Sequence, residues 1–164
     1  QLLKKSRRFE RLVSYTTNKQ MQQDEEKRYH YISLPEFRRM RDSGELFEST
    51  MYAGHNFGSS KQDVEDILSR GKHVLTVMDI CGAMGLKTHF PKVTTIYIQQ
   101  TKEALLADLL NKPVSQEEKI QRIIALDAEQ RNADICDYTV PVTTYEDAAE
   151  EILDGLFHRR HKKS

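Results

Sequence analysis

Six histidines and two cysteines are the side chains of this 164-residue chain best suited to holding a metal or attacking a carbonyl. Their spacing supports neither chemistry. His30, His55, His73, His89, His158 and His161 form no close pairs with Cys81 and Cys136 of the kind a zinc site needs, so no metal site is expected. Cys81 follows an apolar run and reads as a small buried residue rather than a nucleophile. Phosphate chemistry would call for a Gly-rich loop carrying Lys and Ser/Thr at the start of a helix, because loop amides and the helix N-terminus hold the phosphates. No such motif occurs in these 164 residues. Positive charge is concentrated at the ends: Lys4, Lys5, Arg7, Arg8 and Arg11 face one acid, Glu10, and Arg159, Arg160, Lys162 and Lys163 face none. Residues 12–157 are left with 16 basic and 24 acidic side chains. An acidic body without aromatics interleaved among the basic ends argues against nucleic-acid binding, and a solvated tail is the plain reading of each end.

The elements that must position any site follow from periodicity and caps. Residues 12–17 and 29–32 read as strands. Ser33 and Glu36 form a capping box for a helix that carries Pro35 in its first turn and stops at Gly44. Leu46-Phe47-Glu48 and Tyr52-Ala53 read as strands paired with each other before a turn at Gly54. Ser60 and Asp63 open a helix with Val64, Ile67 and Leu68 on one face and Gly71 as its stop. Val74 to Met78 reads as a buried strand, 80–90 as a short helix, 93–98 as a β-branched strand and 102–110 as a helix. Ser115 and Glu118 cap a further helix that turns Ile120, Ile123 and Ile124 inward and runs to about Asn132. Tyr138 to Val140 is the last strand. Thr144 and Asp147 cap the last helix, with Ala148, Ala149, Ile152, Leu153 and Leu156 inward.

Strand–helix alternation at this spacing predicts an α/β fold with a mainly parallel central sheet. Composition agrees: 38% apolar and 30% charged residues with only 7 Gly and 4 Pro suit one folded domain and exclude collagen-like and disordered classes. No run of 18 apolar residues exists, so no membrane span is expected. Two cysteines make no disulfide framework, which points to a reducing, cytoplasmic setting.

The ordered series Val13-Ser14-Tyr15-Thr16-Thr17, Tyr29-His30-Tyr31-Ile32-Ser33, Glu45-Leu46-Phe47-Glu48, Tyr52 to Ser59, and Gly71 to Leu75 leading to Asp79 resembles the guanylate kinase family, from about Leu12 to Leu156. The resemblance implies a three-layer, P-loop nucleoside-monophosphate-kinase-like fold. It divides one domain into a core (1–17, 60–109, 123–157), an inserted GMP-binding lobe (18–59), a short lid (110–122) and a basic tail (158–164). It also implies site roles. Ser14, Glu48 and Ser59 would read guanine, Asp24 would lie at an acidic binding position, and Tyr29 would contact phosphate. Asp79 would face the nucleotides from a strand end and Arg122 would be the retained lid arginine. Tyr52 and Phe57 would complete the cleft.

The sequence also departs from the family pattern. Asn18 and Met21 stand where arginines would pair with phosphate, Phe57 replaces a tyrosine, Val77 replaces an acid, and Asp108 and Lys112 fall at lid arginine positions. The family's first strand and phosphate loop are absent from these residues. The chain is therefore expected to be part of a longer polypeptide, with residues 1–8 the end of the helix that follows that loop. The function expected is a weak or inactive guanylate-kinase-like interaction module binding GMP or a peptide in the former GMP cleft. The alternative is an active guanylate kinase, using ATP and Mg²⁺, whose loop precedes Gln1.

Overall fold

The computed structural model describes residues 1–23, 28–52, 54–111, 115–117, 119–120, 123–124 and 131–157. Two compact units divide them, one over residues 2–93 and one over residues 94–164 together with Gln1.

The first unit begins with a single helical turn, α1 (Leu2–Lys5), and a strand, β1 (Phe9–Arg11). β1 runs parallel to β6 (His73–Leu75), with Phe9 opposite His73 and Arg11 opposite Leu75, and the Leu12 amide extends the ladder to the Leu75 carbonyl at 2.9 Å. The helices α3 (Lys61–Ser69) and α4 (Ile80–His89) supply the core behind this pair. Leu12, Val64, Ile67 and Leu86 are buried together, with Phe47, Val74, Met78, Phe90 and Val93 packed against them. Both helices are capped as their sequence requires. The Ser60 hydroxyl accepts the Asp63 amide, and the Asp79 carboxylate accepts the Gly82 amide at 2.7 Å.

The same unit holds a four-stranded mixed sheet in the order β3 (Tyr29–Tyr31), β2 (Ser14–Thr16), β5 (His55–Ser60), β4 (Leu46–Tyr52). Its threonines fix the register. Thr16, fully buried, donates to the Asn56 carbonyl at 3.0 Å, and the Thr17 hydroxyl accepts the Asn56 amide at 2.9 Å. The helix α2 (Leu34–Asp42), capped by Ser33, turns Phe37 and Met40 onto Leu46, with Tyr15 and Ile32 alongside. Burying Phe37 to 1% exposure makes it the anchor of this cluster; truncation to Ala at such a site costs about 3–5 kcal/mol. Burial, and the Asp63 carboxylate beside it, push the Tyr15 phenol up to about 12.

In the second unit β7 (Ile96–Gln99) and β8 (Tyr138–Pro141) pair in parallel. Asp137 and Thr95 clamp the start of that pair: the Thr95 amide and hydroxyl both donate to Oδ2 of Asp137 at 2.8 Å, and the Asp137 amide donates back at 3.0 Å. The helix α5 (Lys102–Asn111) buries Leu109, and α6 (Tyr145–Phe157) buries Ala148, Ala149 and Ile152. Three of the five strand pairings among the described residues are parallel.

Several expectations need correction. The strand expected over 74–78 ends at Leu75, where its pairing with the β1 segment ends; Val77 is 97% exposed. Leu46 to Tyr52 is one strand that pairs with His55–Ser60 through a tight turn at Gly54, whose φ of 78° suits glycine. Ile120, Ile123 and Ile124 are exposed rather than inward. Cys81 is exposed, since α4 turns Gly82 and Leu86 to the core. The helix expected through Arg8 stops at Lys5, and β1 follows.

Candidate functional site

One cavity of about 320 Å³ in the first unit gathers most of the residues singled out by sequence. Ser14, Tyr29, Glu48, Phe57, Ser59 and Asp79 all line it. Asp24 and Arg122 lie outside the described residues, as does the side chain of Tyr52, whose backbone pairs with His55 at the end of the β4–β5 hairpin.

Strand pairing explains why these residues meet. β2 and β5 are antiparallel with Tyr15 opposite Gly58, which sets Ser14 opposite Ser59; their hydroxyl oxygens lie 3.0 Å apart. β3 sets Tyr29 beside Ser14. On the other side of β5 the ladder slips. Leu46 faces Ser60 while Glu48 faces Ser59, so β4 carries Phe47 as an extra residue. Such a bulge re-aims side chains. Here it directs Phe47 to the core and brings Glu48 over Ser59. Phe57 meets Tyr29 edge-on, with ring centroids 5.6 Å apart.

Two carboxylates set the electrostatics. Burial pushes the Glu48 carboxyl above its ordinary value, a hydrogen bond with Ser59 pulls it back, and the charge of Asp79 pushes it up again. Asp79 is exposed, and its Oδ1 serves as the N-cap of α4. No described lining residue is basic. Asn18 and Met21 do not line the cavity. Asn18 instead folds onto its own turn, its amide donating to the Thr16 hydroxyl and its Oδ1 accepting the Gln20 amide at 3.0 Å.

Thr50, Met51, Gly58 and Met78 also line the cavity and were not singled out from sequence; Val77, read from sequence as standing where the family has an acid, lines it as well. Thr50 had a signal, for it sits two residues past Glu48 and so on the same strand face. Met51 and Met78 had none, because the bulge and the loop after β6 place them. Among the described residues no three His, Cys, Asp or Glu side chains converge as a metal site, and no described helix is long and apolar enough to cross a membrane.

The sequence and fold of the chain resemble those of known proteins. The family model described as guanylate kinase matches residues 1–159. A guanylate kinase from Xylella fastidiosa (strain Temecula1) is 31% identical over 126 residues, covering 76% of this chain and 62% of the relative. One from Cupriavidus metallidurans is 28% identical over 149 residues, covering 89% and 68%. The chain thus spans roughly three fifths to two thirds of the length of these relatives. The crystal structure of guanylate kinase from Anaplasma phagocytophilum shares the fold, with a TM-score of 0.75 at 23% identity over 99% of this chain and 80% of that one. With its family model matched over residues 1–159, the chain belongs to the guanylate kinase family.

Proposed function

We propose that this chain is a guanylate-kinase-family domain whose cleft keeps its guanine-reading end and has lost its phosphate-holding end, so that it serves as a ligand-binding interaction module with little or no GMP phosphorylation. One observation carries the reading. Ser14, Glu48 and Ser59 converge in a cavity that no described basic side chain lines, while Asn18 is spent on its own turn. A carboxylate flanked by hydroxyls accepts the paired N–H groups of a guanine edge. A phosphate needs guanidinium or amide donors instead, and each lost charge-assisted bond removes on the order of 1.5–3 kcal/mol. Phosphoryl transfer rests on positioning and charge stabilisation, so the loss bears on turnover more than on base recognition. In this reading Asp79 is chiefly the cap of α4, and ATP and Mg²⁺ are not needed at these residues. A catalytic role for Asp79 and Arg122 belongs to the active alternative, as do GMP, ATP and Mg²⁺ as its ligands.

That alternative, an active guanylate kinase completed by sequence preceding Gln1, draws support from the relatives, which are named guanylate kinases. A coupled assay for GMP-dependent ADP release, run on this chain and on a polypeptide that includes the preceding sequence, separates the two. Turnover of roughly 1–100 s⁻¹ overturns the proposal. Absence of turnover, with guanosine bound at least as tightly as GMP in a calorimetric titration, supports it.

A further inference from the structure

We propose that the cleft receives an arginine side chain from a protein partner, its guanidinium on the Glu48 carboxylate and its methylene stem across Met51, Met78 and Phe57. This inference rests on the reading of the cleft as an interaction site and narrows that reading to the partner's chemistry.

The starting point is a shared shape. Guanine offers a carboxylate a ring N–H and an exocyclic amino group side by side. A guanidinium offers the same planar pair of donors and adds a positive charge. A site that accepts the first has the geometry to accept the second, and charge decides which it favours. The cavity holds two carboxylates, Glu48 and Asp79, close enough for Asp79 to act on the titration of Glu48. No described lining residue offsets them. A neutral base leaves both charges standing, and a nucleotide phosphate adds further negative charge beside them. A guanidinium compensates them, and does so where the partial burial of Glu48 makes an uncompensated carboxylate costly.

The lining provides a second, independent indication. Val77 is 97% exposed and Met51 is 73% exposed, and both border the cavity. Exposed large apolar side chains gathered at one cleft mark an interaction site. The stem of an arginine is apolar while its head is charged, so one side chain can cover such a rim and still reach a carboxylate beyond it. The ribose of a nucleoside, ringed with hydroxyls, cannot cover it in the same way. Tyr29 and Phe57, packed edge-on, also line the cavity with aromatic rings of the kind that attract a cation. A lysine would bring the charge but not the planar fork.

Three capped tripeptides, acetyl-Leu-Arg-Leu-amide and its lysine and citrulline counterparts, test the proposal on the 164-residue chain by amide NMR titration. Citrulline keeps the shape of arginine and removes the charge. The expected result is saturable binding of the arginine peptide, with shifts centred on Ser14, Glu48, Phe57 and Ser59, and at least tenfold weaker binding of the other two. Glu48→Gln should weaken the arginine peptide at least tenfold. Should that variant fold poorly, the peptide series on the unaltered chain decides alone. Equal binding of the arginine and citrulline peptides overturns the proposal, as do shifts outside the cleft or no saturation by the arginine peptide at millimolar concentration. The two readings fail separately. Charge-blind peptide binding in the cleft sinks this inference and leaves the interaction module standing, whereas GMP turnover sinks the module.

Discussion

The hydroxyl oxygens of Ser14 and Ser59, 45 residues apart in sequence, lie 3.0 Å from each other on adjacent antiparallel strands. Ser59 is fully buried and also holds Glu48, so it links β2 to the acid end of the cleft. Ser59→Ala would leave Glu48 and the Ser14 hydroxyl each short of a partner. A buried polar group deprived of its partner costs about 1–3 kcal/mol. Urea denaturation of Ser59→Ala should show a loss in that range, and Ser14→Ala, which removes only the half-buried member, should lose less. Equal losses would mean that Ser59 does not bridge the two.

Glu48 makes stability and ligand binding respond to pH in opposite senses. Its carboxyl sits above the ordinary value because burial outweighs the hydrogen bond from Ser59, and Asp79 adds to the rise. The folded chain therefore holds this proton more tightly than the unfolded chain does. The stabilising contribution is fully present below the ordinary carboxylate value and is lost as pH rises through the raised folded value. Asp79 and Tyr29 are the other titratable groups lining the cleft, and His89 on α4 meets Phe47, the neighbour of Glu48 in sequence, at a tilt. As pH rises from the ordinary carboxylate value through the raised folded one, the urea midpoint of the unaltered chain should fall relative to that of Glu48→Gln, which lacks this contribution. Binding of an arginine peptide needs the ionised carboxylate, so its affinity should climb over the same window.

Asp79 combines a cap with a charge, and two substitutions separate them. Its Oδ1 accepts the Gly82 amide at 2.7 Å. Asp79→Ala removes the cap and should cost about 0.5–2 kcal/mol. Asp79→Asn keeps an oxygen for Gly82 and removes only the charge, so stability should change by no more than a few tenths. Thermal melts of the two variants check this. If Asn costs as much as Ala, the charge rather than the cap holds the start of α4.

What the sequence disclosed follows from what is local. Ser33, Ser60 and Thr144 cap their helices, and the stripe Ala148, Ala149, Ile152 faces inward, because caps and 3.6-residue periods are written within one turn. Phe9–Arg11 gave no such signal. Three residues with two charges show no period, and only their parallel pairing with His73–Leu75 makes them a strand. Ser14, Tyr29, Glu48, Phe57, Ser59 and Asp79 emerged through family spacing, and they line one cavity. Met51 and Met78 did not, since a bulge at Phe47 and a loop after Leu75 set their direction. The exposure of Val77 shows the limit of run-counting: an apolar run supports a buried strand only where a neighbouring strand lasts as long as the run does.

Gly58 is where the fold and the cleft constrain each other most tightly. It is buried in β5 between Phe57 and Ser59, opposite Tyr15 on one side and Ser49 on the other. A Cβ there would lie 2.9 Å from the Glu48 carbonyl oxygen, 2.9 Å from Cδ1 of Leu46 and 3.2 Å from Cζ of Phe37. The leucine methyl can rotate away, but the carbonyl belongs to the β4 backbone and the phenyl to the packed cluster on α2. Gly58→Ala must therefore push β4 away from β5 at the point where Glu48 crosses Ser59. Overpacking of this kind costs about 1–3 kcal/mol, and it moves the carboxylate off the hydroxyl that orients it. Urea denaturation should show the stability loss, and peptide titration should show weakened binding in molecules that remain folded. A Gly58→Ala chain with unchanged stability and unchanged binding would mean that the β4–β5 spacing is loose enough to absorb a methyl group, and that the position of Glu48 is not set by this contact.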